Sequence, residues 1–399
     1  MLRRTFLGTV AAGLATPYFA RAATPGVTKD SIKIGQTMPY SGPASAYGAI
    51  GKTEAAYFKM LNSKGGINGR KIEFLSADDG YSPPRCVEET RRLVESEQVA
   101  FTYQGLGTPT QSAVQRYLNQ KKVPQLFVSS GAEKWADPEH FPWTMGWQPS
   151  YRTEAEIFAR HMMQVNKAPK LCVLYQNDDF GKDYLTGLKD ALGDKYDAIV
   201  VKTVSYEVTD PTVDSQIVTL QGSGANAMVT AATPKFAAQA IKKIAEIGWK
   251  LDQHYMTNVS LSVSAVMIPA GAENGKGIMT GAYLKDQTDP QWADDAGMNQ
   301  FRAFIKEWAP DLDIANSNVV YGYGNVLSLQ KVLEQCGDDL SRENIMKQAA
   351  DLHDLELPVL LPGIRINTSP KNFHPIKQLQ LAKWSGTAWE LFGGVLSGA

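Results

Sequence analysis

Cysteine is scarce in this chain: Cys86, Cys172 and Cys336 are the only three in 399 residues, and no two of them form a C-x-x-C pair. That excludes a disulfide-dense scaffold and the common zinc and thiol-redox motifs. Cys172 falls in the apolar run 171–175, the usual setting of a buried inert thiol, while the sequence leaves a Cys86–Cys336 bridge open. Histidine is also sparse. His140, His161, His254, His353 and His374 lie far apart, with no H-E-x-x-H or i, i+4 pairing, so no metal and no cofactor is expected. There is no G-x-S-x-G elbow and no phosphate-cradling G-x-x-x-x-G-K-[ST] segment. An excess of one charge is missing too. With 40 Lys and Arg against 41 Asp and Glu, no basic stripe exists for nucleic acid.

Long apolar runs are absent beyond residue 23. Before it stand Arg3-Arg4-Thr5-Phe6-Leu7, a mild apolar run over 10–20, and Ala20-Arg21-Ala22, which together have the layout of an export signal. The run is shorter than the ~20 residues that span a bilayer. Residues 1–22 are therefore expected to be a signal peptide, of the twin-arginine type, with the mature chain starting at Ala23. Loss of Arg3, Arg4 and Arg21 would take the formal charge from −1 to −4.

What is present is a regular alternation of β-rich and helical segments. Strands are predicted at 32–36, 71–76, 100–103 and 123–128, interleaved with helices at 49–62, 84–96 and 110–120. After a Pro- and Trp-rich stretch over 129–150, read as a site loop and a crossing, a second series follows. Its strands are 171–175, 198–206, 227–230 and 254–257, and its helices 153–165, 181–192, 213–220 and 235–247. Helices at 297–308, 319–336 and 342–350 and strands at 376–381 and 388–391 complete the chain. Such alternation predicts an α/β fold of two mostly parallel sheets flanked by helices, joined by several hinge crossings. The expected lobes are 23–147 plus 281–375, and 148–280 plus 376–399. A cleft between two such lobes is the natural ligand site.

Enzyme motifs are weak. Gly105-Leu106-Gly107 follows a strand, but position 110 is Thr and no acid ends the next strand, so a dinucleotide site is not expected. Asp78-Asp79 and Asp178-Asp179 follow strand ends, where Asp commonly satisfies loop and helix-start amides.

Ser41-Gly42-Pro43-Ala44-Ser45-Ala46-Tyr47-Gly48, then 62–71, Asp78-Asp79, 175–181 and Tyr321-Gly322-Tyr323, resemble in order and spacing the leucine/isoleucine/valine-type family of periplasmic binding proteins. These serve ATP-binding-cassette (ABC) transporters. The resemblance covers nearly the whole mature chain. It implies a type I binding-protein fold, a periplasmic location, and a monomer that hands a small-molecule ligand to an inner-membrane permease without converting it. It places Tyr47 at an aromatic wall, Gly107 and Thr108 on a first carboxylate-binding loop, Ser129, Ser130 and Gly131 on a second polar loop, and Phe180 on an aromatic position of the other lobe. Amino-acid binders of the family carry a hydroxyl at the positions of Gly107 and Gly131 and an acid near Val259, and all three are lost here. Backbone amides at Gly107 and Gly131 are expected to serve an anion instead.

The residues themselves support some of this. Tyr47 sits in a Gly/Pro/Ser loop with little core to fill, which favours ligand contact. Trp147 and Tyr151 flank the first crossing, where cleft lining and hinge packing are balanced. Tyr321 and Tyr323, two apart on a helix, cannot share a face, so one belongs to the core. Arg152 before a helix reads as a surface salt bridge. The reading that follows is a binder of a small organic acid with an apolar or aromatic body. An amino-acid binder and a ligand-sensing receptor module are the alternatives.

Overall fold

The computed structural model describes residues 24–398; the expected signal peptide lies outside them. Twelve strands form two sheets: β1 (Ser31–Met38), β2 (Lys71–Asp78), β3 (Phe101–Tyr103), β4 (Gln125–Val128) and β5 (Thr144–Gly146) in the first, and β6 (Leu171–Gln176), β7 (Val200–Tyr206), β8 (Ala227–Ala231), β9 (Gln253–Met256), β10 (Met279–Ala282), β11 (Gln378–Trp384) and β12 (Trp389–Ser397) in the second. The first sheet runs β2-β1-β3-β4-β5 and all its pairings are parallel. In the second, ordered β12-β11-β10-β9-β8-β6-β7, only β11 pairs antiparallel with its neighbours.

Burial explains the parallel pairing. The central strands β3, β4 and β8 are buried at every residue, as expected where helices cover both faces. At the edges, β2 and β12 expose part of one face.

The chain passes between the sheets three times: after β5, after β10 and before β11. The helices Ala296–Trp308 and Ser317–Cys336, which follow β10, pack on the helix Gly48–Ser63 of the first lobe. There Tyr57 donates to Gln330 at 2.6 Å and its ring meets Phe304 and Tyr323, each at 5.6 Å. Tyr323 is thus the core member of the tyrosine pair.

Two strands were not expected. β5 lies inside the stretch read as loop and crossing, and β10 lies where only helices were anticipated. Both are short, and Thr144-Met145-Gly146 and Met279-Thr280-Gly281-Ala282 carry no alternation to reveal them. The three cysteines are free and buried, which closes the question of a Cys86–Cys336 bridge. Burial pushes the Cys86 and Cys336 thiols up to about 12. Among the described residues no helix is long and apolar enough to cross a membrane.

Candidate functional site

The paired aspartates after the strands organise the site without facing it. Asp78 Oδ1, at the end of β2, accepts from the amides of Tyr40, Ser41 and Gly80 at 3.0, 3.1 and 3.0 Å, so it clamps the loop that leads to Tyr47. Asp79 accepts from the Tyr81 amide at 2.8 Å and thereby fixes that ring. In the other lobe Asp178 accepts from the Gly181 amide at 3.3 Å and caps the helix Asp179–Leu192, which presents Phe180.

These elements enclose one cavity between the lobes. Tyr47, Gly107, Thr108, Ser129, Tyr151, Phe180 and Tyr321 line it. It contains about 80 Å³ of space open to the centre of a water molecule, room for a small organic ligand. The lobes are closed over it. Tyr47 donates to the Val259 carbonyl at 3.2 Å, Gln176 donates to the Tyr81 hydroxyl at 3.3 Å, the Glu133 amide donates to Asp183 at 2.8 Å, and Lys134 pairs with Asp179 at 3.1 Å.

Ser130, Gly131 and Trp147 stand behind this lining. Ser130 shares a 2.7 Å hydrogen bond with Thr108 and accepts from the Ala132 amide at 3.2 Å. Gly131 offers its carbonyl to the Tyr151 amide at 2.8 Å, fixing the start of the helix Tyr151–Val165. Trp147 donates to Ser328 at 2.9 Å and sets its ring edge-on to Tyr321, 5.3 Å away. Arg152 points away and pairs with Asp190 at 2.6 Å.

A side chain would be crowded at both Gly107 and Gly131. Gly107 has φ +103°, and a Cβ there would sit 2.5 Å from the Tyr81 ring. Tyr81 therefore occupies the space a side chain at 107 would use. At Gly131 a Cβ would meet the Pro149 carbonyl at 2.5 Å and the Tyr151 ring at 3.0 Å. One expectation fails: the Gly107 amide is spent on the Ser129 carbonyl at 3.2 Å, because the two loops pair as neighbouring strand extensions. Thr108 remains, since its amide opens the helix Thr108–Gln120 and has no intrahelical acceptor.

The loop around Val259 carries no acid; the carboxylates in the cavity lining, Asp286 and Asp289, belong to the stretch after β10. Behind that loop Glu154 is fully buried and accepts from the Asn258 amide at 3.0 Å, the Asn258 side chain at 2.8 Å, the Gly281 amide at 3.1 Å and the Tyr184 hydroxyl. Burial pushes its carboxyl up to about 7 despite those donors. Glu154 thus ties the first crossing to the loop after β9 and to β10.

Tyr151, Phe180 and Tyr184 form an aromatic cluster, with ring centroids 4.6 Å apart for Tyr151–Phe180 and 5.6 Å for Tyr151–Tyr184. Tyr321 accepts from Ser129 and donates to Gln148, both at 3.1 Å.

The sequence reading missed Tyr81, Gln148 and a whole stretch of wall after β10, including Tyr283, Lys285, Asp286, Gln287 and Trp292. Trp292 had a usable signal, an aromatic ring in a loop of Asp, Gln and Pro, the same signal that singled out Tyr47.

A family model described as periplasmic binding protein matches residues 31–388. An amino acid binding protein from Pseudomonas aeruginosa is 23% identical over 321 residues, covering 77% of this chain and 79% of that protein. A branched chain amino acid ABC transporter protein from Thermus thermophilus with bound valine superposes with a TM-score of 0.81 at 12% identity, covering 94% of this chain and 98% of that one. A solute binding protein from R. palustris in complex with 4-hydroxybenzoate superposes with a TM-score of 0.76 at 17% identity, covering 92% and 98%. With a family match over almost all of the described residues and a two-lobed α/β fold closed on a cleft, the chain belongs to the periplasmic binding protein family, the substrate-binding proteins of ABC transporters.

Proposed function

We propose that this chain captures a small organic acid with an apolar or aromatic body in the interlobe cavity and delivers it, unaltered, from the periplasm to an inner-membrane ABC permease. One observation carries the reading. Where the resemblance places the acid of amino-acid binders, Val259 stands with its carbonyl engaged by Tyr47, and Glu154 behind that loop is taken up by other donors. An α-ammonium held at that loop would find no acid within it, and an unpaired buried ion costs several kcal/mol.

A carboxylate is better served. The Thr108 amide and hydroxyl lie on the cavity wall at the positive end of the helix Thr108–Gln120. Tyr47, Tyr151 and Phe180 supply flat apolar surface beside them. The fold accommodates both kinds of ligand, since the Thermus relative holds valine and the R. palustris one 4-hydroxybenzoate. A thermal-shift panel of carboxylates, amino acids, amides and sugars tests the class. A ligand at 100 times its Kd adds about 2.7 kcal/mol of stability. Carboxylates should give the shifts, and a panel in which only amino acids do so overturns the proposal.

A further inference from the structure

The wall after β10 carries polar atoms that nothing in the protein satisfies. Asp286 Oδ2, both amide atoms of Gln287 and the indole N–H of Trp292 are buried without a hydrogen-bond partner, and all three residues line the cavity. Gln287 is only 7% exposed. Buried polar groups are almost always paired, so this concentration on a ligand cavity is a recognition surface.

We propose that this wall is a second recognition site for the same ligand, binding a neutral hydroxyl, so that the preferred ligand is a hydroxylated monocarboxylic acid. The inference rests on the carboxylate being held at Thr108.

The chemistry of the unmet atoms selects the group. Gln287 Oε1 and Asp286 Oδ2 need a donor, while Gln287 Nε2 and Trp292 need an acceptor. A hydroxyl serves both kinds, donating to one of the two acceptors and accepting from the two donors. A second carboxylate only accepts, and it would face Asp286 with no cation to offset it. Lys285, the cation on this wall, is spent on Asp295 at 2.8 Å and on the Pro358 carbonyl at 2.9 Å. An ammonium only donates, which would leave Trp292 and Gln287 Nε2 unpaired. Each Asp289 oxygen already accepts from Gln291, so unlike Asp286 Oδ2 neither is left without a partner.

The rest of the lining fits a body that joins two polar ends. Leu261, Leu284, Val320, Leu361, Trp389 and Leu391 provide apolar wall and no charge. The wall is also rigidly held. Asp286 Oδ1 accepts from the Thr288 amide and hydroxyl, each at 2.8 Å, and the Lys285 amide donates to the Val359 carbonyl at 2.8 Å. Lys285 lies 5.2 Å from the centre of the Trp292 ring, which fixes the indole edge. Preorganised donors and acceptors of this kind discriminate strongly against ligands that leave them unmet.

Calorimetric titration of the mature protein tests the proposal with two matched sets: hexanoate, 6-hydroxyhexanoate, adipate and 6-aminohexanoate, and 3-phenylpropanoate with 3-(4-hydroxyphenyl)propanoate. In at least one set the hydroxylated acid should bind about tenfold more tightly than its parent. Adipate and 6-aminohexanoate should bind more weakly than 6-hydroxyhexanoate. In Gln287→Leu and in Trp292→Phe the preference for the hydroxylated acid should shrink to about twofold. If parent acids bind as tightly as hydroxylated ones in both sets, or if adipate binds best, the second site is wrong while the carboxylate reading stands. If none of these acids binds and amino acids do, the carboxylate reading falls and takes this inference with it. Should a variant fail to fold, the comparison on the unmodified protein decides alone.

Discussion

The Tyr47 hydroxyl donates to the carbonyl of Val259 at 3.2 Å, from the loop after β1 in one lobe to the loop after β9 in the other. The bond fastens the aromatic wall in its closed position. It also engages the backbone at the place where an amine-binding acid would otherwise be sought. Closure and ligand class thus meet at one contact.

Tyr47→Phe keeps the ring and deletes that bond. A neutral hydrogen bond is worth about 1 kcal/mol net, so affinity for the preferred ligand should fall between about twofold and tenfold. Titration calorimetry reads the loss. Small-angle scattering of the ligand-saturated variant should still show the compact particle, because Lys134–Asp179 and Glu133–Asp183 also join the lobes.

Gly107→Ser places a hydroxyl where the resemblance puts one in amino-acid binders, yet it should not confer amino-acid binding. The new Cβ would press on the Tyr81 ring at 2.5 Å in a backbone conformation, φ +103°, that suits glycine. Strain of this kind costs about 1–3 kcal/mol. Urea unfolding should show the destabilisation, and leucine should give no heat of binding. A stable variant that binds leucine would show that Tyr81 does not set the limit.

Glu154 should make stability depend on pH. Its folded carboxyl titrates at about 7, against an ordinary value of 4.5. Between those values the folded protein holds a proton that the unfolded chain releases, so this group's contribution is present below about 4.5 and is lost as pH rises to about 7. The full loss is about 3 kcal/mol. Glu154→Gln stays neutral and lacks this term. Its stability relative to the unmodified protein, from urea titrations across that window, should therefore rise with pH and then level off. A constant difference would place the carboxyl in the ordinary range.

Much of the architecture was legible because it rests on local pattern. Apolar runs such as 171–175, separated by amphipathic segments and glycine turns, require parallel strands with crossover helices, and the two sheets follow. β5 and β10 escaped because three or four residues buried on both sides, with a glycine among them, leave no period to detect.

The site was legible in part, for the same kind of reason. Tyr47 and Phe180 announce themselves as aromatic side chains at a loop and a helix start. Gly107 marks a tight position, but only the fold reveals that its amide belongs to Ser129 and that Tyr81 fills the space beside it. Asp286, Gln287 and Trp292 reach the cavity through the second crossing, a tertiary fact that no spacing along the chain encodes. The reading of Asp78 and Asp178 as amide acceptors follows from a local rule, and the bonds to Ser41, Gly80 and Gly181 bear it out.

The most direct test is a pairwise titration calorimetry experiment on the mature protein, comparing 4-methylpentanoate with leucine and 3-phenylpropanoate with phenylalanine. Each pair differs only in the α-amino group. Because the loop around Val259 carries no acid, the plain acid should bind more tightly in both pairs, by about tenfold or more, since an enclosed unpaired ammonium costs several kcal/mol. Micromolar binding of leucine or phenylalanine, with no heat from either plain acid, would contradict the account.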